Sequence, residues 1–275
     1  MLFQKVLITR IRILHKVLWE VILTFFIETL DKRNQVVEKL LQKNAYSTKP
    51  IENLTEALAG DWIIFPPNKK FDDDFLKNLP SKIFLVCGNL SAHQQNILNI
   101  KQIRHINVMK DETFAFKNSV LTAEGVLANI LEKTKKSIFE QKYLILGSGR
   151  SGKAIAKLFS DLNLDFAMSS FDENNYALSH IFTKNNFFKE EVFKNLKNFD
   201  VIVNTVPAKI IPKEYIRTIK SGALYLEIAS IESIEKTEDL AFEYVLCPAL
   251  PQKFASCSAG KYLFKVILQT LEKTS

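Results

Sequence analysis

The sequence predicts an α/β chain of two parallel-sheet domains joined by a helix. Three observations carry that expectation. Short apolar runs alternate with amphipathic stretches along most of the 275 residues, as strands do when helices cover both faces of their sheet. A helical stretch, Ala123–Lys136, separates two such series. Three of the 8 glycines, Gly147, Gly149 and Gly152, fall together between an apolar strand and a helix. Glycine is scarce in this chain, about 3% of residues against a usual ~7%, so the cluster has a local cause.

Residues 1–20 read as an amphipathic N-terminal extension. Lys5, Thr9, Arg12, Lys16 and Glu20 recur on one helical face, and Leu7, Ile11, Leu14 and Leu18 fill the remainder. Such a helix packs on its own domain or docks by its basic face on a partner or an anionic membrane; the packed reading is preferred. The first domain spans 21–120. Val21–Ile27 is a strand rich in β-branched and aromatic residues, and Lys32–Gln42 is a helix. Asp61–Phe65 is a strand halted by Pro66–Pro67, followed by helix Asp72–Leu79. Strand Lys82–Val86 turns at Cys87–Gly88–Asn89, and His105–Val108 is a short strand. The linking helix lies within 121–139.

The second domain spans 140–275, C-terminal helix included. It begins with strand Lys142–Leu146, helix Gly152–Leu162 and strand Asp165–Met168. Strand Val201–Asn204, helix Lys213–Ile219, strands Leu224–Ile228 and Tyr244–Cys247, and helix Ala259–Leu271 complete it.

Composition excludes several classes. At 47% hydrophobic and 24% charged the chain is too apolar to be disordered. Lys+Arg number 37 against 30 Asp+Glu, a formal +7, but the charge is spread and no nucleic-acid motif accompanies it. The apolar stretch Val17–Asp31, which has no basic residue, contains Glu20 and Glu28, so no membrane span is predicted there. No small-residue cleavage site follows the basic N-terminus, which argues against a signal peptide. Cys87, Cys247 and Cys257 have no CxxC spacing, which points to a reduced cytoplasmic setting and no metal site. His15, His93, His105 and His180 match no triad or ligand spacing.

The chemistry sits in KYLILGSGRSGKAIAKLF, Lys142 to Phe159: a strand, a glycine turn and an amphipathic helix. Gly147 permits the tight turn, Gly149 lets the backbone approach a pyrophosphate, and Gly152 lets helix and strand pack closely. The helix N-terminus adds free N–H groups. Gly147, Ser148, Gly149, Arg150, Ser151 and Gly152 are therefore the candidate cradle of NADP or NAD in a C-terminal Rossmann-like domain. The next strand ends in Ser169–Ser170–Phe171 rather than an acid; Ser170 is a candidate 2′-phosphate contact, with Asp172 an alternative partner for the ribose. Thr205, Val206 and Pro207 follow one strand, and Ala229 and Ser230 follow the next. Ligands of open parallel sheets bind beyond such carboxyl ends.

Ordered segments resemble the A subunit of dipicolinate synthase from spore-forming bacteria. These are LDKRNQVVEKLL (Leu30–Leu41), NSVLTAEG (Asn118–Gly125), GSGRSG, NTVP, LEIAS and CPALPQKFASCSAG (Cys247–Gly260), spread over residues 21 to 272. Departures stand at Phe171, at Ile231–Ile234, and at Ala249, Gln252, Ser256 and Cys257. The resemblance implies oxidation of a dihydrodipicolinate-type dicarboxylate to the pyridine diacid during sporulation, beside a flavoprotein-like second subunit. A dianionic substrate needs cations and hydrogen-bond donors, for which Arg33, Thr122, Lys253 and Ser258 are the candidates; Glu124, at the start of the linking helix, is the candidate proton-handling group, or else a capping or salt-bridged acid. A homo-oligomer is compatible with the resemblance. The departures leave a second reading open, an accessory protein that binds the cofactor with weakened catalysis.

Overall fold

The computed structural model describes residues 23–235 and 239–274, so the extension expected at 1–20 lies outside them. The chain divides into one unit of residues 1–114 and 256–275 and a second of residues 115–255. The sequence groups the last helix with the second domain; in the structure it packs on the first unit.

In the first unit, β1 (Thr24–Ile27), β2 (Ser47–Pro50), β3 (Trp62–Ile64), β4 (Phe84–Cys87) and β5 (Arg104–Asn107) form a sheet of order β2-β1-β3-β4-β5. All its pairs are parallel, giving the flavodoxin-like doubly wound order. Helices α1 (Lys32–Lys43), α2 (Asp73–Asn78) and α3 (Ala92–Ile100) connect the strands. Phe25, Ile27, Trp62 and Ile64 face one side of the sheet and meet Val37 and Leu41 of α1. Phe26, Ile63 and Leu85 face the other and meet Leu76 and Leu98. This period-2 division lets each strand be apolar throughout.

Helix α4 (Glu112–Lys133) runs from the first unit into the second. It starts well before the predicted Ala123, because Asp111 caps it by accepting from the Phe114 amide at 2.7 Å. The second unit holds β6 (Lys142–Leu146), α5 (Arg150–Asp161), β7 (Asp165–Ser170), α6 (Glu173–Ser179), β8 (Asn186–Phe188), β9 (Val201–Asn204), α7 (Lys213–Ile216), β10 (Leu224–Glu227), β11 (Glu243–Leu246) and α8 (Leu250–Phe254). Its sheet order is β11-β10-β9-β6-β7-β8, all parallel. That is the dinucleotide-binding doubly wound order, with its topological switch between β6 and β9. The final helix, α9 (Ser256–Thr274), lies against α1. A Cβ on Gly260 would stand 2.6 Å from Val36 Cβ and 2.7 Å from the Arg33 carbonyl oxygen, so only glycine allows this approach. Among the described residues no helix is long and apolar enough to cross a membrane.

Glycine scarcity shows in the helix ends. After α1, Ala45 and Tyr46 donate to the Gln42 and Leu41 carbonyls at 2.9 and 3.1 Å; after α3, Gln102 and Ile103 donate to Asn99 and Leu98 at 3.0 and 2.9 Å. After α5, Asn163 and Leu164 donate to Ser160 and Phe159, both at 3.0 Å. These are three Schellman closures, whose left-handed residue is most often glycine. Here Ala45, Gln102 and Asn163 take φ of 63°, 55° and 54°. The left-handed conformation costs a side-chain-bearing residue about 1–2 kcal/mol, and glycine gives back about 0.5–1 kcal/mol as backbone entropy. Ala45→Gly and Gln102→Gly are each expected to stabilise the protein by about 0.5–1 kcal/mol, read as a raised urea midpoint at unchanged slope; a lowered midpoint in both would contradict this account.

Two of the three thiols are inert by burial. Burial pushes the Cys87 thiol up to about 12 and the Cys247 thiol up to about 11, so both stay protonated at neutral pH. His105 Nε2 lies 3.3 Å from Cys87 Sγ, but it also sits 3.0 Å from the Gly88 carbonyl oxygen. It therefore donates to that carbonyl and is no base for the thiol. Iodoacetamide at pH 8 is expected to label exposed Cys257 alone in the folded protein, and all three after denaturation, read by peptide mass. Rapid native labelling of Cys87 would contradict it.

Candidate functional site

Strand β6 is buried from Tyr143 to Leu146, and the chain then leaves the sheet at the switch point. Gly147 turns it with φ +98°, and its amide donates to the Ser169 carbonyl of β7 at 3.1 Å. A Cβ on Gly147 would meet Thr205 Oγ1 at 2.5 Å and Val206 Cγ2 at 2.6 Å. A Cβ on Gly152 would stand 2.1 Å from the Gly147 carbonyl oxygen. Both positions thus require glycine for the protein's own packing. Gly149 differs: it caps α5 with φ −72° and ψ −169°, and a Cβ there would meet nothing within 4 Å. Its missing side chain leaves room above the loop, beside the N-terminus of α5, whose first amides point away from the helix's own carbonyls. A pyrophosphate fits that room and those donors.

Helix α5 reaches this position because Gly152, Ile155, Ala156 and Phe159 form one buried stripe, while Lys157 and Asp161 face solvent. Arg150 is exposed and Ser151 half-buried in its first turn. Ser148 and Ser170 have a different task. Ser170 is fully buried and its hydroxyl donates to Ser148 Oγ at 2.6 Å, stitching the glycine loop to the end of β7. Ser170 therefore supports the loop instead of presenting a hydroxyl to a 2′-phosphate. Asp172 is engaged too: its carboxylate caps α6, accepting from the Asn175 amide at 2.9 Å and Nδ2 at 3.1 Å.

Beyond β9, Thr205 anchors to the Leu146 carbonyl by its amide and its hydroxyl, each at 2.9 Å. Asn204 Nδ2 donates to the Val206 carbonyl at 3.0 Å and the Val206 amide donates to Asn204 Oδ1 at 3.1 Å. The loop to Pro207 is thereby rigid and stands directly against the glycine turn. Beyond β10, the Ala229 amide donates to Glu227 Oε1 at 3.2 Å, and Ser230 is exposed. Within this one unit the structure gathers the residues from Gly147 to Gly152 with Ser170, Thr205, Val206, Pro207, Ala229 and Ser230 at the carboxyl edge of β6, β7, β9 and β10. Glu227 is an addition that the sequence alone does not offer, and it joins Asn204, the first residue of NTVP. Both are strand-terminal polar residues in otherwise apolar strands, which is the signal that marks them.

The expected substrate residues are divided. Arg33 and Ser258 belong to the first unit, and Thr122, Glu124 and Lys253 to the second. Arg33 is buried, with Nε 2.9 Å from Asp31 Oδ1 and Nη2 2.6 Å from both Asp31 Oδ2 and Asn68 Oδ1. Its charge is matched by Asp31. Ser258 lies inside the first turn of α9, which starts at Ser256 and not at the predicted Ala259. Glu124 is exposed in the middle of α4, not in a first turn, so it is no capping acid. Thr122 donates back to the Asn118 carbonyl at 2.9 Å. Lys253 is exposed on α8, its ammonium 4.7 Å from the Phe254 ring centre. The first unit adds polar groups at the end of β1: Lys69 Nζ lies 3.1 Å from Glu28 Oε1, and Glu28 Oε2 and Asn34 Oδ1 are buried without a donor.

No family model matches the chain. It is 24% identical over 201 residues to the A subunit of dipicolinate synthase from Bacillus subtilis (strain 168), covering 72% of this chain and 68% of that protein. The crystal structure of that dipicolinate synthase protein from Bacillus subtilis superposes with a TM-score of 0.73 at 20% identity, covering 91% of this chain and 95% of that one. Its counterpart from Bacillus halodurans gives 0.76 at 18% identity, covering 90% and 97%. An NAD-dependent formate dehydrogenase from Staphylococcus aureus, in complex with NAD, gives 0.61 at 12% identity, covering 92% and 94%. The chain thus resembles the dipicolinate synthase A subunits in sequence and shares their two-sheet fold.

Proposed function

We propose that the second unit binds NADP or NAD and that the protein is an oxidoreductase of the dipicolinate synthase type. The observation that supports it best is the open volume over Gly149 at the switch point of a sheet wound in the dinucleotide-binding order. On this reading Gly147 to Gly152 hold the pyrophosphate, Thr205 to Pro207 and Ala229–Ser230 border the nicotinamide, and Ser170 braces the loop. The cofactor supplies hydride-transfer chemistry. The remaining requirements fall on the chain: to hold two carboxylates and to accept the proton that leaves a dihydropyridine-type ring as it becomes aromatic. In the second unit Thr122 and Lys253 are the proposed carboxylate contacts and Glu124 is the proposed proton acceptor; Arg33 and Ser258 of the first unit are further candidates for the substrate. The partner is a second, flavoprotein-like subunit. Sporulation follows from the same resemblance, and the cysteine pattern supports a cytoplasmic setting.

A weakened accessory role is the second reading, and a specific observation favours it. Ala249, where the relatives' pattern has glycine, is held at φ +53° at the start of α8, so the substrate-side loop keeps its shape under strain.

Thermal shift and calorimetry with NADPH and NADH, with and without dipicolinate, test both readings. One reduced nucleotide is expected to raise Tm, and dipicolinate to raise it further if the substrate side is intact. Gly149→Ala is expected to leave the unliganded Tm within about 2 °C and to weaken nucleotide binding at least about tenfold, since its Cβ meets only the ligand's space. Gly152→Ala, whose Cβ meets backbone, is expected to lower Tm outright. Failure of both nucleotides to bind would overturn the cofactor reading.

A further inference from the structure

Glu227 ends β10 opposite Asn204 of β9 and Leu246 of β11. It is 1% exposed, and among the described residues no cationic side chain lies within ion-pair distance of it. A buried carboxylate without a cation is costly unless donors converge on it. They do. Oε1 accepts from Asn204 Nδ2 at 2.7 Å and the Ala229 amide at 3.2 Å. Oε2 accepts from the Ser233 amide at 2.8 Å and the Ser233 hydroxyl at 2.6 Å; the Tyr244 hydroxyl, 3.4 Å away, lies nearer to Glu232 Oε2, at 3.1 Å. Because Ser233 gives its proton to Glu227, the Tyr225 hydroxyl, 2.6 Å from Ser233 Oγ, donates to Ser233. A carboxylate has lone pairs for all of these donors.

The placement of the donors decides what this carboxylate does. Asn204 locks the loop after β9 through both backbone groups of Val206. Ala229 and Ser233 lie in the loop after β10. No donor comes from the glycine turn or from β7. In a doubly wound sheet the dinucleotide lies across the switch point, its adenosine on the β7 side and its second nucleotide over β9 and β10. We propose that Glu227 is a positioning residue for the nicotinamide half of the cofactor: it clamps the two loops that border that half, without touching the cofactor. This rests on the dinucleotide reading given above.

ADP-ribose and its 2′-phosphate keep the adenosine and pyrophosphate and lack the nicotinamide, so they separate positioning from general support of the fold. Binding of the reduced dinucleotide and of the matching ADP-ribose is measured by calorimetry on the full chain, for wild type, Glu227→Gln and Asn204→Ala. Glutamine keeps the shape but turns one acceptor into a donor facing donors. Glu227→Gln is expected to weaken the dinucleotide at least about tenfold and to change ADP-ribose by less than about twofold. Asn204→Ala is expected to show the same split, and the double variant to be no weaker than Glu227→Gln, as for members of one network. If Glu227→Gln does not fold, Asn204→Ala and Ser233→Ala carry the test, with the same split expected. Equal weakening of both ligands, or of neither, overturns the proposal. Wild type that binds neither ligand overturns the dinucleotide reading itself and this inference with it.

Discussion

The second unit depends on one close approach. The Gly147 carbonyl oxygen occupies the space that a side chain at residue 152 would need, so β6 can turn into α5 only if that position is bare. From this contact the rest follows by geometry. Helix α5 lies flat on β6 and β7 through Ile155, Ala156 and Phe159, and its first amides are aimed over the carboxyl edge of the sheet. The turn also brings Gly147 against Thr205 and Val206, so the loop after β9 is seated by the same backbone. Packing demands Gly147 and Gly152 whether or not a ligand binds. Gly149 alone has no packing reason, which is why it carries more functional weight than its neighbours.

A second constraint concerns buried charge. The structure places carboxylates at the carboxyl ends of strands in both units, but it stabilises them differently. In the first unit they face cations: Asp31 takes Arg33, and Glu28 takes Lys69. In the second, among the described residues, Glu227 takes hydrogen-bond donors instead: Asn204 at the end of β9, and Ala229 and Ser233 in the loop after β10. An ion pair removes the charge of both partners from the surroundings, whereas a donor cage fixes backbone amides while keeping the anion. The first arrangement limits how strongly Arg33 can attract a dianion; the second rigidifies a ligand-bordering edge. Their own burial raises the Tyr225 and Tyr244 hydroxyls above the usual tyrosine range, and the charge of Glu227 beside them adds to it, so both stay protonated at neutral pH.

Much of this is legible in the sequence where apolar periodicity and glycine spacing coincide. Strands β6 and β9 fall where the pattern puts them, and the glycine turn lies between strand and helix as its spacing requires. The elements that the pattern misses lack that periodicity. Strand β2 is Ser47–Thr48–Lys49–Pro50, a polar edge strand whose order comes from pairing with β1. Helix α3 has few apolar residues, although Ser91 and Gln94 form a capping box that marks its start. Helix α4 begins earlier than its apolar pattern suggests, because its first turns mix Lys117 and Asn118 with apolar residues; that shift moves Glu124 out of a first turn. The contacts of Ser170 and Glu227 are long-range in sequence, joining residues 22 and 23 positions away, and no local pattern reports them.

Glycine scarcity links these observations. Where a left-handed residue is needed only to close a helix, the chain uses Ala45, Gln102 or Asn163 and accepts the strain. At the start of α8 it uses Ala249 in the same way. Such positions cost stability but remain possible, because a Cβ there is strained by φ and not blocked by neighbouring atoms. At Gly147 and Gly152 it is blocked outright, by Thr205, Val206 and the Gly147 carbonyl. A chain that drifts away from glycine therefore loses it first where the penalty is about 1–2 kcal/mol and keeps it where no rotamer can relieve the clash. Gly149 fits neither class, since its φ suits any residue and its Cβ direction is empty. Its presence in a glycine-poor chain, at the start of α5, has no cause in folding and is what the proposed nucleotide binding would account for.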